Sequence, residues 1–279
     1  MIAKEQSMTT LAFSRLLGAA YRFTWAERRR VAAAALPWLV AAALPALLLE
    51  GLSPRSGLIG AALALAGVLW AVAGFLGFAL RWQRHILAGE SLAGRAALRI
   101  GRRECRYAGH AVLVFIVVGA AFLGAGVLVY LPVTLAISAL HARALAGASG
   151  WLFQGVAAVA CGTVFGRLAL ALPSTAVDEP GDMLEIAWQR SRGNVLGLFL
   201  GTIGSVLPFA LLQHAIEAPF ARLISYHLAA HLTASAVAIM LGFAALAVLS
   251  CFVAEAYRAL AAGKAPHPGI APTGALSAR

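Results

Sequence analysis

Long apolar runs alternate with short polar breaks along this chain. The run from Gly57 to Leu80 is 24 residues without a charge, and it ends at Arg81-Trp82-Gln83-Arg84-His85. At about 1.5 Å per residue such a helix outreaches the ~30 Å hydrocarbon core of a bilayer. Runs of the same kind occur at about 31–49, 111–140, 151–172, 195–214 and 232–257. The pattern predicts an all-α polytopic integral membrane protein, with six transmembrane helices in three hairpins plus short amphipathic interfacial helices. The six-helix domain covers 31–260, behind an amphipathic N-terminal segment at 1–30. The tail, 261–279, has too little to bury and is expected to be disordered.

The breaks carry their own periodicity. Phe13, Leu16, Leu17, Ala20 and Tyr21 recur at helical spacing, while Arg15, Arg22 and Arg29 fall seven apart on another face. That spacing predicts a helix in the headgroup plane with its arginines toward phosphate. Arg95, Arg99, Arg102 and Arg106 repeat on one face of a second expected surface helix, at 92–107. This basic stripe is expected to meet anionic lipid or a partner. A third short helix is expected over 182–192. Its acids, Asp182 and Glu185, are early and its arginines, Arg190 and Arg192, late, which complements the macrodipole. Arg81, Trp82, Arg84, Arg167 and Arg258 read as interfacial anchors where even-numbered spans leave the bilayer. Glu255 is expected to pair with Arg167 or Arg81.

Small residues form stripes inside the spans: Gly60, Gly67 and Gly74; Gly162 and Gly166; Gly193, Gly197 and Gly201. Between helices in lipid there is no hydrophobic drive, so close approach has to supply the packing, and these stripes are expected helix-contact faces. Pro37, Pro45, Pro132 and Pro208 fall inside apolar runs, and Pro132 is expected to end its helix near Tyr130.

Composition agrees. The chain is 61% hydrophobic and 12% charged, against about 25% charged in soluble domains. Its net charge of +11 comes from 22 Lys and Arg against 11 Asp and Glu. With six spans crossing in alternation, all of those cations except Arg55, Arg143 and Arg222 fall on one and the same side, which places both termini in the cytoplasm. The excess is therefore topological. Aromatic residues scarcely interleave with it, which argues against nucleic acid as a partner. Cys105, Cys161 and Cys251 are dispersed and read as free thiols.

Motifs for phosphate-cradling loops, zinc proteases and serine hydrolases are absent. His214, Glu217, His227 and His231 fall together in one outer loop region. His227 and His231, at i and i+4, are the candidate metal pair, although interfacial histidines on an amphipathic connector are the preferred reading. No catalytic residue and no cofactor is assigned.

Arg167-Leu168, Leu172-Pro173, Ala187-Trp188 and Ser191-Arg192-Gly193-Asn194 form a pattern. It resembles the six-helix membrane region attached to some bacterial glycerophosphodiester phosphodiesterases, and that region's stand-alone relatives. Arg167, Pro173, Trp188, Arg192, Gly193 and Asn194 carry the likeness, while Ser191 stands where the pattern commonly has Thr. No phosphodiesterase domain accompanies them here, so the resemblance implies a membrane module and not that hydrolase activity. Rich Ala, Gly and Arg with few Lys points to a GC-rich bacterial source. The expectation is a non-enzymatic protein of the bacterial inner membrane with a scaffold, assembly or lipid-environment role. The alternative is a transporter or permeation pathway for a small or lipidic solute. Scarce midplane charge weighs against it, and a water-accessible cavity reaching the midplane and lined by Gln154, His214 or Ser205 would favour it.

Overall fold

The computed structural model describes residues 12–51, 57–92, 101–140, 143–224 and 228–261. Among these residues the regular elements are all helices. In order they are α1 (Phe13–Ala26), α2 (Arg28–Gly51), α3 (Gly57–Ala88), α4 (Arg102–Leu140) and α5 (Arg143–Leu168). The short α6 (Ala171–Ala176) and α7 (Met183–Arg190) follow, then α8 (Val195–Ile224) and α9 (Leu228–Ala261). Among the described residues five stretches are long and apolar enough to cross a membrane: Leu65–Ala88, Arg102–Val133, Phe153–Ala176, Val195–Ala218 and Thr233–Ala261. The first expected span falls on α2, and the expected disordered tail beyond 261 lies outside the described residues.

The outward faces of these helices are greasy. Leu123, Leu128 and Leu135 on α4 and Leu196 on α8 are more than 60% exposed. Water-facing surfaces rarely carry apolar area of this extent, whereas lipid tails solvate it as well as protein does. Burial is concentrated toward one end of the bundle. There α9 packs against α1, α2, α3, α6 and α8, and it buries Ala247, Val248, Cys251, Phe252, Ala254 and Tyr257. α2 packs on α3, α4 on α5 and α8 on α9.

Trp82 is at the centre of that core. It is fully buried and its indole Nε1 donates to the Ala247 carbonyl at 3.0 Å. Its ring lies 6.3 Å from Phe78 and 5.9 Å from Phe23. The anchor reading of Trp82 is thus corrected. α1 covers the place where the indole would have met headgroups, and a buried indole needs an acceptor, which α9 provides.

α1 is docked on the bundle. Leu16, Leu17 and Tyr21 pack into the core and Ala20 is buried. Tyr21 Oη donates to the Gly204 carbonyl of α8 at 2.8 Å. The apolar face read as lipid-facing is satisfied by α8 and α9 instead.

α4 differs from expectation at both ends. Glu104 accepts from the Gly101 N–H at 2.9 Å, half of a capping box. That cap starts the helix at Arg102, and it runs straight into the apolar segment, so Arg102 and Arg106 sit on its first turns and not on a separate surface helix. Pro132 lies within α4, which continues to Leu140. Proline removes one N–H and strains one turn, a loss that helices surrounded by protein and lipid absorb.

The glycine stripes receive rings more often than backbone. A Cβ on Gly162 would meet Phe199 at 2.4 Å, and one on Gly201 would meet Phe252 at 1.9 Å. Gly74 faces Trp38 of α2 at 3.4 Å. Gly166 alone among these faces neighbouring backbone, that of Leu198 and Phe199 at 3.3 Å. Gly67 and Gly197 are half-buried in α3 and α8, while the surroundings of Gly60 lie outside the described side chains.

Candidate functional site

The arginine-rich end of the bundle is built around α6 and the loop that follows it. α5 stops at Leu168, and after a turn Pro173 enters α6 at its third residue, where its missing N–H costs no helical bond. Ala171, Pro173, Ser174, Thr175 and Ala176 are all buried, against α3, α4, α7 and α9. Burial leaves two hydroxyls without water. Ser174 Oγ and Thr175 Oγ1 both donate back to the Ala171 carbonyl, at 2.9 and 2.7 Å.

The loop then turns two adjacent carboxylates in opposite directions. Asp178 has a positive φ of 57°, a region Asp tolerates better than most residues. Its carboxylate accepts from Arg106, lies 3.1 Å from Arg103 Nε and 3.8 Å from Arg84. Glu179 points inward. It pairs in bidentate fashion with Arg190, one contact being 2.9 Å, and accepts from Tyr257 Oη at 2.8 Å. Both side chains of the pair are less than 10% exposed. Burial pulls the Arg190 guanidinium down, but the hydrogen bonds and charge of Glu179 outweigh it and hold it above its ordinary value. Arg190 also lies 5.1 Å over the Tyr257 ring. Gly181, at φ 114°, closes the loop, and Asp182 caps α7 by accepting from Leu184 N at 2.9 Å and Glu185 N at 3.3 Å.

Three arginines reach across to carbonyls near the ends of other helices. Arg84 of α3 donates to Ala176 O of α6 at 2.9 Å. Arg258 of α9 donates to Ile86 O of α3. Arg167 of α5 donates to Trp188 O of α7 at 3.1 Å and through Nε to Ser191 Oγ at 3.0 Å. The last carbonyls of a helix lack intrahelical partners and carry the negative end of the macrodipole, so a guanidinium there is favourable twice over. The Arg167 guanidinium also stacks 3.4 Å from the Trp188 ring centroid. Arg84 further forks onto Glu90, whose carboxyl it holds below the usual carboxylate range.

Several residues singled out from sequence meet here. Arg167, Trp188 and Ser191 converge, and Pro173 lies in the buried α6. Gly193, at φ 80°, turns the chain into α8, where Asn194 N donates to Ser191 O at 3.0 Å and Asn194 O accepts from Leu198 N at 2.9 Å. Arg192 is exposed beside this turn. The short acidic-then-basic helix expected over 182–192 is α7. The structure separates other expected partners: Glu255 pairs with Arg258 one turn away at 2.8 Å, while Arg167 turns to Ser191 and Trp188. Of the basic stripe, Arg106 is engaged by Asp178 and Arg102 is exposed, while Arg95 and Arg99 lie outside the described residues. His227 and the side chain of His231 also lie outside them. Among the described residues no group of three or more His, Cys, Asp or Glu is placed to hold a metal ion.

The reading from sequence did not single out Asp178 and Glu179 and missed them as ties. The signal was available: two of only 11 acids stand side by side at the end of an apolar run. It also missed Tyr107, buried beneath α4's first turns and donating to Gln83 Oε1 at 3.3 Å. A cavity of about 730 Å³ opens between α1, α2 and α9. Gln154, His214 and Ser205 do not line it, and Ser205 Oγ bonds to Gly201 O of its own helix at 2.7 Å. No protein-family model matches this chain, and neither does any curated protein or solved structure.

Proposed function

We propose that this chain is a non-enzymatic, multi-pass protein of the bacterial inner membrane that acts as a scaffold, assembly or lipid-environment factor. In this reading α2, α3, α4, α5, α8 and α9 are six spans in three hairpins. The arginine-rich end is cytoplasmic with both termini, and its exposed arginines meet anionic lipid. One observation carries the proposal. The polar groups gathered at that end saturate one another across helices: Asp178 with α3 and α4, Glu179 with α7 and α9, and Arg167, Arg84 and Arg258 with foreign helix ends. Such an arrangement fixes helix positions and leaves its groups occupied. The transporter reading asked for a water-accessible cavity reaching the midplane and lined by Gln154, His214 or Ser205, and the cavity described above is lined by none of the three.

The orientation is tested at Cys105, which is exposed at the start of α4. In a Cys161→Ser, Cys251→Ser variant, a membrane-impermeant maleimide should label Cys105 only after the cells are permeabilised. The role is tested in a deletion strain: altered lipid composition or envelope integrity with unchanged solute uptake is expected. Lost uptake of a defined solute with an unaltered envelope would replace this reading with the transporter one.

A further inference from the structure

The cavity between α1, α2 and α9 is walled by apolar side chains, among them Leu36 and Leu39 of α2 and Met240 and Phe243 of α9. Its volume, about 730 Å³, lies in the range of about 300–1,000 Å³ usual for small-molecule sites. Among the described residues two ionised groups line it, Arg22 and Arg28, and no carboxylate does. Each makes a single backbone hydrogen bond close by, Arg22 to Gly18 O at 3.3 Å and Arg28 to Trp25 O at 3.2 Å. Neither has an acidic partner among the described residues, and a guanidinium offers five donors, so both keep free capacity for an anion.

Two further features point to a ligand. Trp25 is 72% exposed, and the Arg28 guanidinium lies 5.2 Å over its ring, the aromatic-and-basic pairing favoured at a membrane–water interface. Thr24 Oγ1, also in the lining, is buried without a hydrogen-bond partner. The dimensions fit as well. Arg28 and Leu39 bound the lining along α2, a rise of about 17 Å against a leaflet of about 15 Å. An apolar trough one leaflet deep, with cations and an indole at one end, is complementary to a phospholipid.

We propose that this groove seats an acyl chain of an anionic phospholipid whose phosphate is held by Arg22 and Arg28. The proposal rests on reading the chain as a membrane protein. The full chain is reconstituted in nanodiscs containing phosphatidylcholine and a phosphatidylglycerol brominated on its acyl chains. The converse mixture, with the bromines on phosphatidylcholine, is the comparison. Fluorescence that disappears in Trp25→Phe reports Trp25 alone. Brominated phosphatidylglycerol should quench that component at a mole fraction about 25-fold lower than brominated phosphatidylcholine, from the two arginines together. Replacing Arg22 and Arg28 by Gln should remove the preference, by about fivefold per arginine. Ala32→Phe, which fills the groove from α2, should weaken quenching by both lipids.

Equal quenching by the two lipids in the wild-type protein overturns the proposal, as does a preference that survives loss of both arginines. A Trp25 that neither lipid quenches, in a protein that elutes as a dimer, assigns the groove to a second copy and also overturns it. A chain that alkaline carbonate strips from native membranes defeats the membrane reading itself. Insertion without lipid preference defeats only this inference.

Discussion

Arg258 of α9 donates to the carbonyl of Ile86 in the last turn of α3, 172 positions earlier in the chain. Arg84, half a turn before Ile86, donates in turn to Ala176 at the end of α6. Three helices are thus fastened in sequence, each by a guanidinium on the carbonyl end of the next. A charge-assisted bond of this kind contributes about 1.5–3 kcal/mol. Arg258→Met should therefore lower the thermal midpoint of the detergent-solubilised protein by several degrees. Arg258→Lys should recover part of the loss, because it restores the charge without the fork. An unchanged midpoint in Arg258→Met would show that the contact contributes nothing.

The Glu179–Arg190 pair is the most buried ionic contact described, with Tyr257 completing it. Removing one member leaves the other charged and out of water, at a cost of about 3–5 kcal/mol. Glu179→Gln and Arg190→Met should each destabilise by that order, and the double variant should be more stable than either single one. Denaturant midpoints of the four proteins give the coupling directly. Simple additivity of the two losses would refute the pairing.

Helix identity was legible because apolar runs of membrane length allow few alternatives. α7 was legible too, since Asp182 is a strong N-cap and its charges run with the dipole. The ties were not. Periodicity reports which face of a helix is apolar, but not which other helix covers it. Trp82 beside two arginines reads as an interfacial anchor until α1 is seen to close over it. Asp178 and Glu179 do not stand out from sequence because their partners lie up to 94 positions before and 78 after, at Arg84 and Tyr257. Glu255 was assigned a distant partner, whereas the arginine it pairs with at 2.8 Å is one helical turn away.

Acid should report on the Arg84–Glu90 contact. The hydrogen bond from Arg84 holds the Glu90 carboxyl below its ordinary value in the folded protein. A depressed carboxylate contributes stability above its unfolded value, about 4.3, and loses it as pH falls through the folded value. Glu90 is about half exposed, so the contribution is at most about 1 kcal/mol. Glu90→Gln should melt slightly below the wild type at pH 7, and the gap should close as the pH falls below about 4. A gap that stays constant over that range would assign the loss to something other than charge.

Glycine is required at some positions of these helices and merely tolerated at others. A Cβ on Gly201 would overlap the Phe252 ring at 1.9 Å, and Phe252 is itself buried and unable to swing clear. On Gly119 and Gly155 a Cβ would meet nothing within 4 Å. Overpacking a filled core costs about 1–3 kcal/mol, while alanine in an open helical position gains up to about 1 kcal/mol over glycine. Gly204 falls between, because its obstacle at 2.6 Å is the flexible end of Leu17. Gly201→Ala should therefore lower the thermal midpoint, Gly204→Ala should lower it less, and Gly119→Ala and Gly155→Ala should leave it unchanged or raise it. Pairing Gly201→Ala with Phe252→Leu should return part of the loss, since the smaller side chain vacates the space the new methyl needs. If Gly201→Ala behaves like Gly155→Ala, then α8 and α9 do not pack with the Phe252 ring seated on Gly201.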